Sequence, residues 1–102
     1  MNVIILDEVK DFLIGLGENN ESRVNRYIKI LEDFSNLIKM PYSKNILPRI
    51  FELRVGGIHN IRLIYTYYNN SAIIFYSFMK KTEQISLQEI NIIKTKFNNL
   101  HI

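Results

Sequence analysis

Ile50-Phe51-Glu52-Leu53-Arg54-Val55-Gly56-Gly57 and, after Ile58-His59-Asn60, the run Ile61-Arg62-Leu63-Ile64-Tyr65-Thr66-Tyr67-Tyr68-Asn69-Asn70 decide the fold. In the first segment Phe51, Leu53 and Val55 alternate with Glu52 and Arg54, the period of a half-buried strand. Gly56-Gly57 is a turn signal. The stretch from Asn60 to Tyr68 is dense in β-branched and aromatic residues and reads as a second strand. Asn69-Asn70 is a tight hairpin turn, because Asn tolerates positive φ. A third strand follows through Ala72 to Met79 and ends at Lys80-Lys81.

Outward from this meander the chain is helical. Upstream, after an optional short strand at Asn2–Leu6, Val9, Phe12, Leu13 and Leu16 recur on one helical face. Gly15 and Gly17 favour a stop. A longer helix then carries Val24, Tyr27, Ile28, Leu31 and Ile38 on one stripe, with Asn20 or Ser22 as its N-cap. It is expected to end near Lys39, because the residue before Pro41 is biased away from helix. Downstream, Ser86-Leu87-Gln88-Glu89 is a capping box, followed by an apolar stripe of Ile90, Ile93, Phe97 and Leu100. The order is (β)-α-α-β-β-β-α, an α+β layout with the helices expected on one face of a small antiparallel sheet.

The 102 residues suit a single domain, residues 1–102. A hydrophobic fraction of 47% and a charged fraction of 23% are those of an ordinary globular protein. No run approaches the roughly 20 apolar residues of a membrane span, so no membrane role is expected. Asp7 and Glu8 stand where a signal peptide is still apolar, which makes the cytoplasm the expected location. The absence of cysteine excludes disulfides, thiolate chemistry and Cys-type zinc sites, and no metal or cofactor motif is present. A net charge of +3 is compatible with a polyanionic partner.

Strand geometry localises that charge. If Asn69-Asn70 is a two-residue loop, Tyr68 faces Ser71 and Arg62 faces Ser77. Arg62, Ile64, Thr66, Phe75, Ser77, Met79 and Lys81 then share one side. Ile61, Leu63, Tyr65, Ile74, Tyr76 and Phe78 share the other, which is apolar and packs on the helices. Glu52 and Arg54 join the open side, and a regular turn at Gly56–His59 makes Arg54 and Arg62 cross-strand neighbours. Arg54, Arg62 and Lys81 thus converge at one end, with Lys80 beside them. Like charges opposed in a sheet are unfavourable, so an anion among them is one account. A solvated face neutralised by Glu52 is the other.

Phe51-Glu52-Leu53-Arg54, Ile61-Arg62-Leu63-Ile64-Tyr65 and Phe78-Met79-Lys80-Lys81-Thr82 resemble, in order and spacing, three blocks of the RelE/ParE toxin superfamily. They are most similar to its phage-derived HigB-like branch. The resemblance spans nearly the whole chain. It implies the RelE-like fold, a toxin of a type II toxin–antitoxin pair, and a helix-turn-helix (HigA-like) antitoxin as partner. It also implies ribosome-dependent endoribonuclease activity on messenger RNA, with Arg54, Arg62 and Lys81 as functional cations. Two other outcomes stay open: a ParE-like gyrase inhibitor without catalysis, and a non-toxic phage protein that binds nucleic acid or a partner.

RNA cleavage by the 2′-hydroxyl needs a base, charge stabilisation at the phosphorane and an acid for the 5′-oxygen. Arg suits the middle role, so Arg62 is placed there first and Arg54 alongside. Lys81 and Lys80 are candidates for phosphate binding or proton transfer, and His59 for acid or base. Lys44 and Arg49 extend the basic surface toward RNA. Each has a plainer account: a surface salt bridge for the arginines, a solvated pair for the lysines, a turn residue for His59, and pairing with Arg54 for Glu52. Ile58-His59-Asn60-Ile61 replaces the Tyr usual before the second Arg. Thr82-Glu83-Gln84-Ile85 lacks the Tyr or His of some relatives, which leaves the proton-transfer residue open.

Overall fold

The computed structural model describes residues 1–57 and 60–102. Strand β1 (Asn2–Ile5) leads into helices α1 (Asp7–Gly15) and α2 (Glu18–Phe34). Strands β2 (Ser43–Leu47), β3 (Ile50–Val55), β4 (Ile61–Tyr68) and β5 (Ser71–Met79) follow, then helix α3 (Leu87–Asn98). The sheet order is β1-β5-β4-β3-β2, with β1 parallel to β5 and the other pairs antiparallel. This is a small α+β fold of the RelE-like kind, with three helices packed against a five-stranded mixed sheet.

Alternation along each strand splits the core in two. On one side Leu53, Val55, Ile61, Leu63, Tyr65, Ala72 and Ile74 are buried against Val9 and Leu13 of α1 and Val24, Ile28 and Leu31 of α2. On the other, Ile50, Ile64, Phe75 and Phe78 are buried against Ile93 of α3, with Phe97 packed alongside. The expectation of all helices on one face is therefore corrected: α3 covers the opposite face. Ile64, Phe75 and Phe78 are too apolar to be left in water, and the stripe of α3 shields them. Lys96 of α3 reaches Glu8 of α1 at 2.8 Å, linking helices from the two faces.

Several local expectations change. The helix α2 begins after Gly17, and neither Asn20 nor Ser22 caps it; it ends at Phe34, with a 3-10 turn over Ser35–Leu37. The α3 cap is as read, the Ser86 hydroxyl accepting from the Glu89 amide at 3.1 Å. The segment read as a loop before the sheet contains β2, an edge strand. Tyr68 pairs with Ser71 as expected, but Arg62 pairs with Phe78, not Ser77. A β-bulge is the reason: Tyr65 opposes Ile74 and Ile64 opposes Tyr76, so Phe75 is the extra residue. Beyond Phe75 every side chain of β5 changes face. Tyr76 and Phe78 thus lie on the Arg62 side, and Ser77 and Met79 on the other. No helix of the described residues is long and apolar enough to cross a membrane.

Candidate nucleic-acid interface

The α3 side of the sheet is apolar where α3 covers it and charged beyond. Arg54 and Arg62 stand directly opposite each other in the β3–β4 register, as the hairpin count requires. Glu52, two residues back on β3, lies between them. Its Oε1 is 3.5 Å from Arg54 Nε and its Oε2 is 3.6 Å from Arg62 Nε. Glu52 is 2% exposed and Arg62 7%, whereas the Arg54 side chain keeps 30% of its surface in water. Arg62 is thus not the solvent-facing residue the alternation suggests; Arg54 is.

The Glu52–Arg62 contact is Coulombic only. At 3.6 Å it is too long for a hydrogen bond, and both atoms lack any other partner. Arg62 Nη1 donates to the Ile61 carbonyl at 3.1 Å, which fixes the guanidinium in place. Burial pulls Arg62 below its ordinary pKa, Glu52 opposes that shift and Arg54 adds to it. An arginine still stays charged at neutral pH. The unit therefore carries two cations and one carboxylate, and its uncompensated charge emerges at Arg54.

Around Arg54 two clefts meet. The first is lined by Lys44, Glu52, Arg54 and Lys80, with Gln84, Ile85 and Ile90 from the α3 side as its far wall. Lys44 is the register partner of Glu52, so it shares that face. Lys80 is held past the end of β5 by its amide, which donates to the Asn60 carbonyl at 2.7 Å. The second cleft is lined by Tyr27, Pro41, Tyr42, Arg54, Val55, Gly56, Asn60 and Arg62.

The structure thus brings together Arg54, Arg62, Lys44 and Lys80, and separates two other candidates from them. Lys81 lines a neighbouring cleft with Lys80, Thr82, Gln84, Ser86 and Gln88, away from both arginines. The Phe75 bulge is the cause, since it moves Lys80 onto the Arg62 side in place of Lys81. Arg49 sits in the β2–β3 turn with its guanidinium 5.3 Å over the Phe97 ring. That is the far end of β3, ~17 Å along the strand from Arg54. His59 lies outside the described residues. Among the described residues no three His, Cys, Asp or Glu side chains stand close enough to hold a metal ion. Arg23 and Tyr42 border this region without having been singled out from sequence, since an isolated Arg in a helix and an isolated Tyr in a loop carry no pattern; Tyr27, read only as part of the apolar stripe of the second helix, borders it too.

The three-helix, five-strand α+β scaffold that carries this basic cleft is of the RelE-like kind. The chain belongs to the phage-derived Gp49-like family (DUF891), which matches residues 11–98 and is a RelE/ParE-like toxin family of toxin–antitoxin systems. The matched span contains all four clustered cations. No curated protein matches the chain.

Proposed function

We propose that this chain is the toxin of a type II toxin–antitoxin pair, of the HigB-like branch, that cuts messenger RNA on the ribosome and so arrests translation. The observation that carries the reading is the opposed pair Arg54 and Arg62, seated on buried Glu52 and flanked by Lys44 and Lys80. A fold has little reason to bury a carboxylate between two guanidiniums, because desolvating such charges costs several kcal/mol per ion. Held that way, Arg54 presents a fixed planar fork at the mouth of a basic cleft, suited to two oxygens of one phosphate.

In the reaction the 2′-hydroxyl loses its proton to a base and attacks the adjacent phosphorus. The bond to the 5′-oxygen breaks as an acid protonates that oxygen, leaving a 2′,3′-cyclic phosphate and a 5′-hydroxyl. Arg54 stabilises the phosphorane charge, and Arg62 sets the position of Glu52 and Arg54 from behind. Lys80 and Lys44 hold flanking phosphates. His59 is the candidate for proton transfer, and Lys81, from its neighbouring cleft, and Arg49 are candidates for remote phosphates. A helix-turn-helix (HigA-like) antitoxin is the partner that silences the toxin, and the cytoplasm is where it acts.

Induced expression with pulse-labelling of protein synthesis and, in parallel, plasmid supercoiling tests this. Protein synthesis is expected to stop while supercoiling stays normal. Continued synthesis with failing supercoiling would establish the ParE-like reading, and neither effect would leave a non-toxic binding protein.

A further inference from the structure

Tyr42 and Arg54 are tied by one backbone hydrogen bond: the Arg54 amide donates to the Tyr42 carbonyl at 2.8 Å. The two backbones are therefore held side by side, and both residues line one cleft. Tyr42 is 41% exposed, so its ring is accessible from solvent. Its ring packs against Tyr27, with centroids 6.1 Å apart and planes inclined by 59°. The rings are tilted rather than stacked on each other, and Tyr42 keeps part of its surface in water. The Tyr27 hydroxyl in turn sits close above Gly56, where an added Cβ would lie 3.1 Å from it. The resulting cleft, about 340 Å³, is lined by the two tyrosines, Pro41, Arg54 and Asn60 among others. It opens directly beside the basic cleft, and Arg54 lines both.

From this we infer that the Tyr27–Tyr42 cleft is a base-stacking subsite, which takes one unpaired base of single-stranded RNA while its phosphate rests on Arg54. The inference deepens the RNA reading above and rests on it. The chemistry of the two clefts divides the work. The Lys44–Arg54–Lys80 side follows the phosphates and is indifferent to sequence. The Tyr42 face offers a π-surface, and Asn60 a donor and an acceptor for a base edge. A base splayed into this cleft is unstacked from its neighbour, which turns the backbone at Arg54.

The test is fluorescence anisotropy with a labelled single-stranded RNA hexamer and a matching hexamer of the same charge whose nucleotides are abasic. Base–aromatic stacking is worth enough that Tyr42→Ala should weaken hexamer binding roughly 5- to 100-fold. Tyr42→Phe and Tyr42→Trp should bind as the parent does. The abasic hexamer should bind the parent as weakly as the ordinary hexamer binds Tyr42→Ala, and Tyr42→Ala should cost it nothing more. The salt slope of Tyr42→Ala should match the parent's, because no phosphate contact is lost. Equal losses on both hexamers, or no loss on either, would overturn the subsite. If Arg54→Ala still weakens binding while Tyr42→Ala does not, the basic cleft stands and the subsite falls. If Arg54→Ala leaves RNA affinity unchanged, the RNA reading itself fails.

Discussion

The two faces of the sheet are built from the same strands and do opposite things. Under α1 and α2, Leu53, Leu63, Tyr65 and Ile74 form a closed apolar layer whose polar atoms are satisfied, as where Tyr65 Oη and Ser43 Oγ meet at 2.5 Å. Under α3, Ile64, Phe75 and Phe78 are covered in the same way, but one strand position further along the layer turns into Glu52, Arg54 and Arg62. The first face is explained by burial alone, at roughly 25 cal/mol per Å² of apolar surface removed from water. The second is not, because its buried atoms include a carboxylate oxygen and a guanidinium nitrogen without hydrogen bonds. What differs between them is content: one face buries apolar surface, and the other also buries ions, at a cost in desolvation.

Substitutions that expose this difference can be ranked. Glu52→Ala leaves two opposed guanidiniums, one of them buried, with no anion between them. It should cost about 3–5 kcal/mol in urea unfolding, as for other buried pairs that lose one partner. Leu63→Ala on the closed face should cost a comparable ~2–5 kcal/mol through its cavity. The contrast lies in the remedy. A double change, Glu52→Leu with Arg62→Met, should restore most of the stability while abolishing function, since apolar groups of similar volume replace buried ion pairs without loss. If the double variant is as unstable as Glu52→Ala, the charges hold the fold and the comparison breaks.

Arg62→Ala alone is next, at roughly 3 kcal/mol, since Glu52 keeps Arg54. A surface arginine would cost within about 0.5 kcal/mol, so thermal denaturation decides between the buried position found here and the exposed one the alternation implied. Gly57→Ala follows at about 1–3 kcal/mol. Gly57 has φ +132°, and a Cβ there would overlap the Arg23 guanidinium. Its effect should include a displaced Arg23, visible as a change in the arginine resonances of an NMR spectrum.

The smallest effect is on the closed face at high pH. Burial raises the Tyr65 pKa above its ordinary value of 10.0, with the Ser43 hydrogen bond partly opposing it. On the opposite, α3-covered face, burial and the hydrogen bond to Glu89 raise Tyr76 as well. A raised folded-state pKa means that the unfolded chain loses these protons first. Stability is therefore full below pH 10 and falls as pH rises through the folded-state values. Tyr65→Phe should flatten that fall and cost ~1 kcal/mol at neutral pH for the lost hydrogen bond. An unchanged alkaline slope would show that Tyr65 ionises as freely folded as unfolded.

Much of this was legible in the sequence, and the failures are specific. The hairpins β3–β4 and β4–β5, the Arg54–Arg62 register and the Ser86 cap follow from alternation, turn residues and the capping box. Strand β2 was not visible, because Ser43-Lys44-Asn45 has no apolar alternation and its pairing is fixed by β3. The Phe75 bulge was hidden because Ile73-Ile74-Phe75-Tyr76 is bulky and apolar throughout, so a slip of one residue exposes no polar mismatch. From that slip follow the misplaced Tyr76 and Phe78 and the choice of Lys81 over Lys80. The stripe on α3 shows that the helix has an apolar face but not which side of the sheet it covers. Tyr42 lacks any one-dimensional signal; its position depends on the pairing of a strand that the sequence does not announce.

The central claim is that Arg54 is the exposed end of a buried charge relay whose task is RNA chemistry. Purified parent protein and Arg54→Ala, each incubated with ribosomes and a messenger RNA, can be compared by mapping new 5′ ends alongside melting temperature. The expected result is ribosome-dependent cleavage by the parent, a loss of about 100-fold or more in Arg54→Ala, and a melting temperature close to the parent's. A stably folded Arg54→Ala that cuts at near the parental rate would contradict the account.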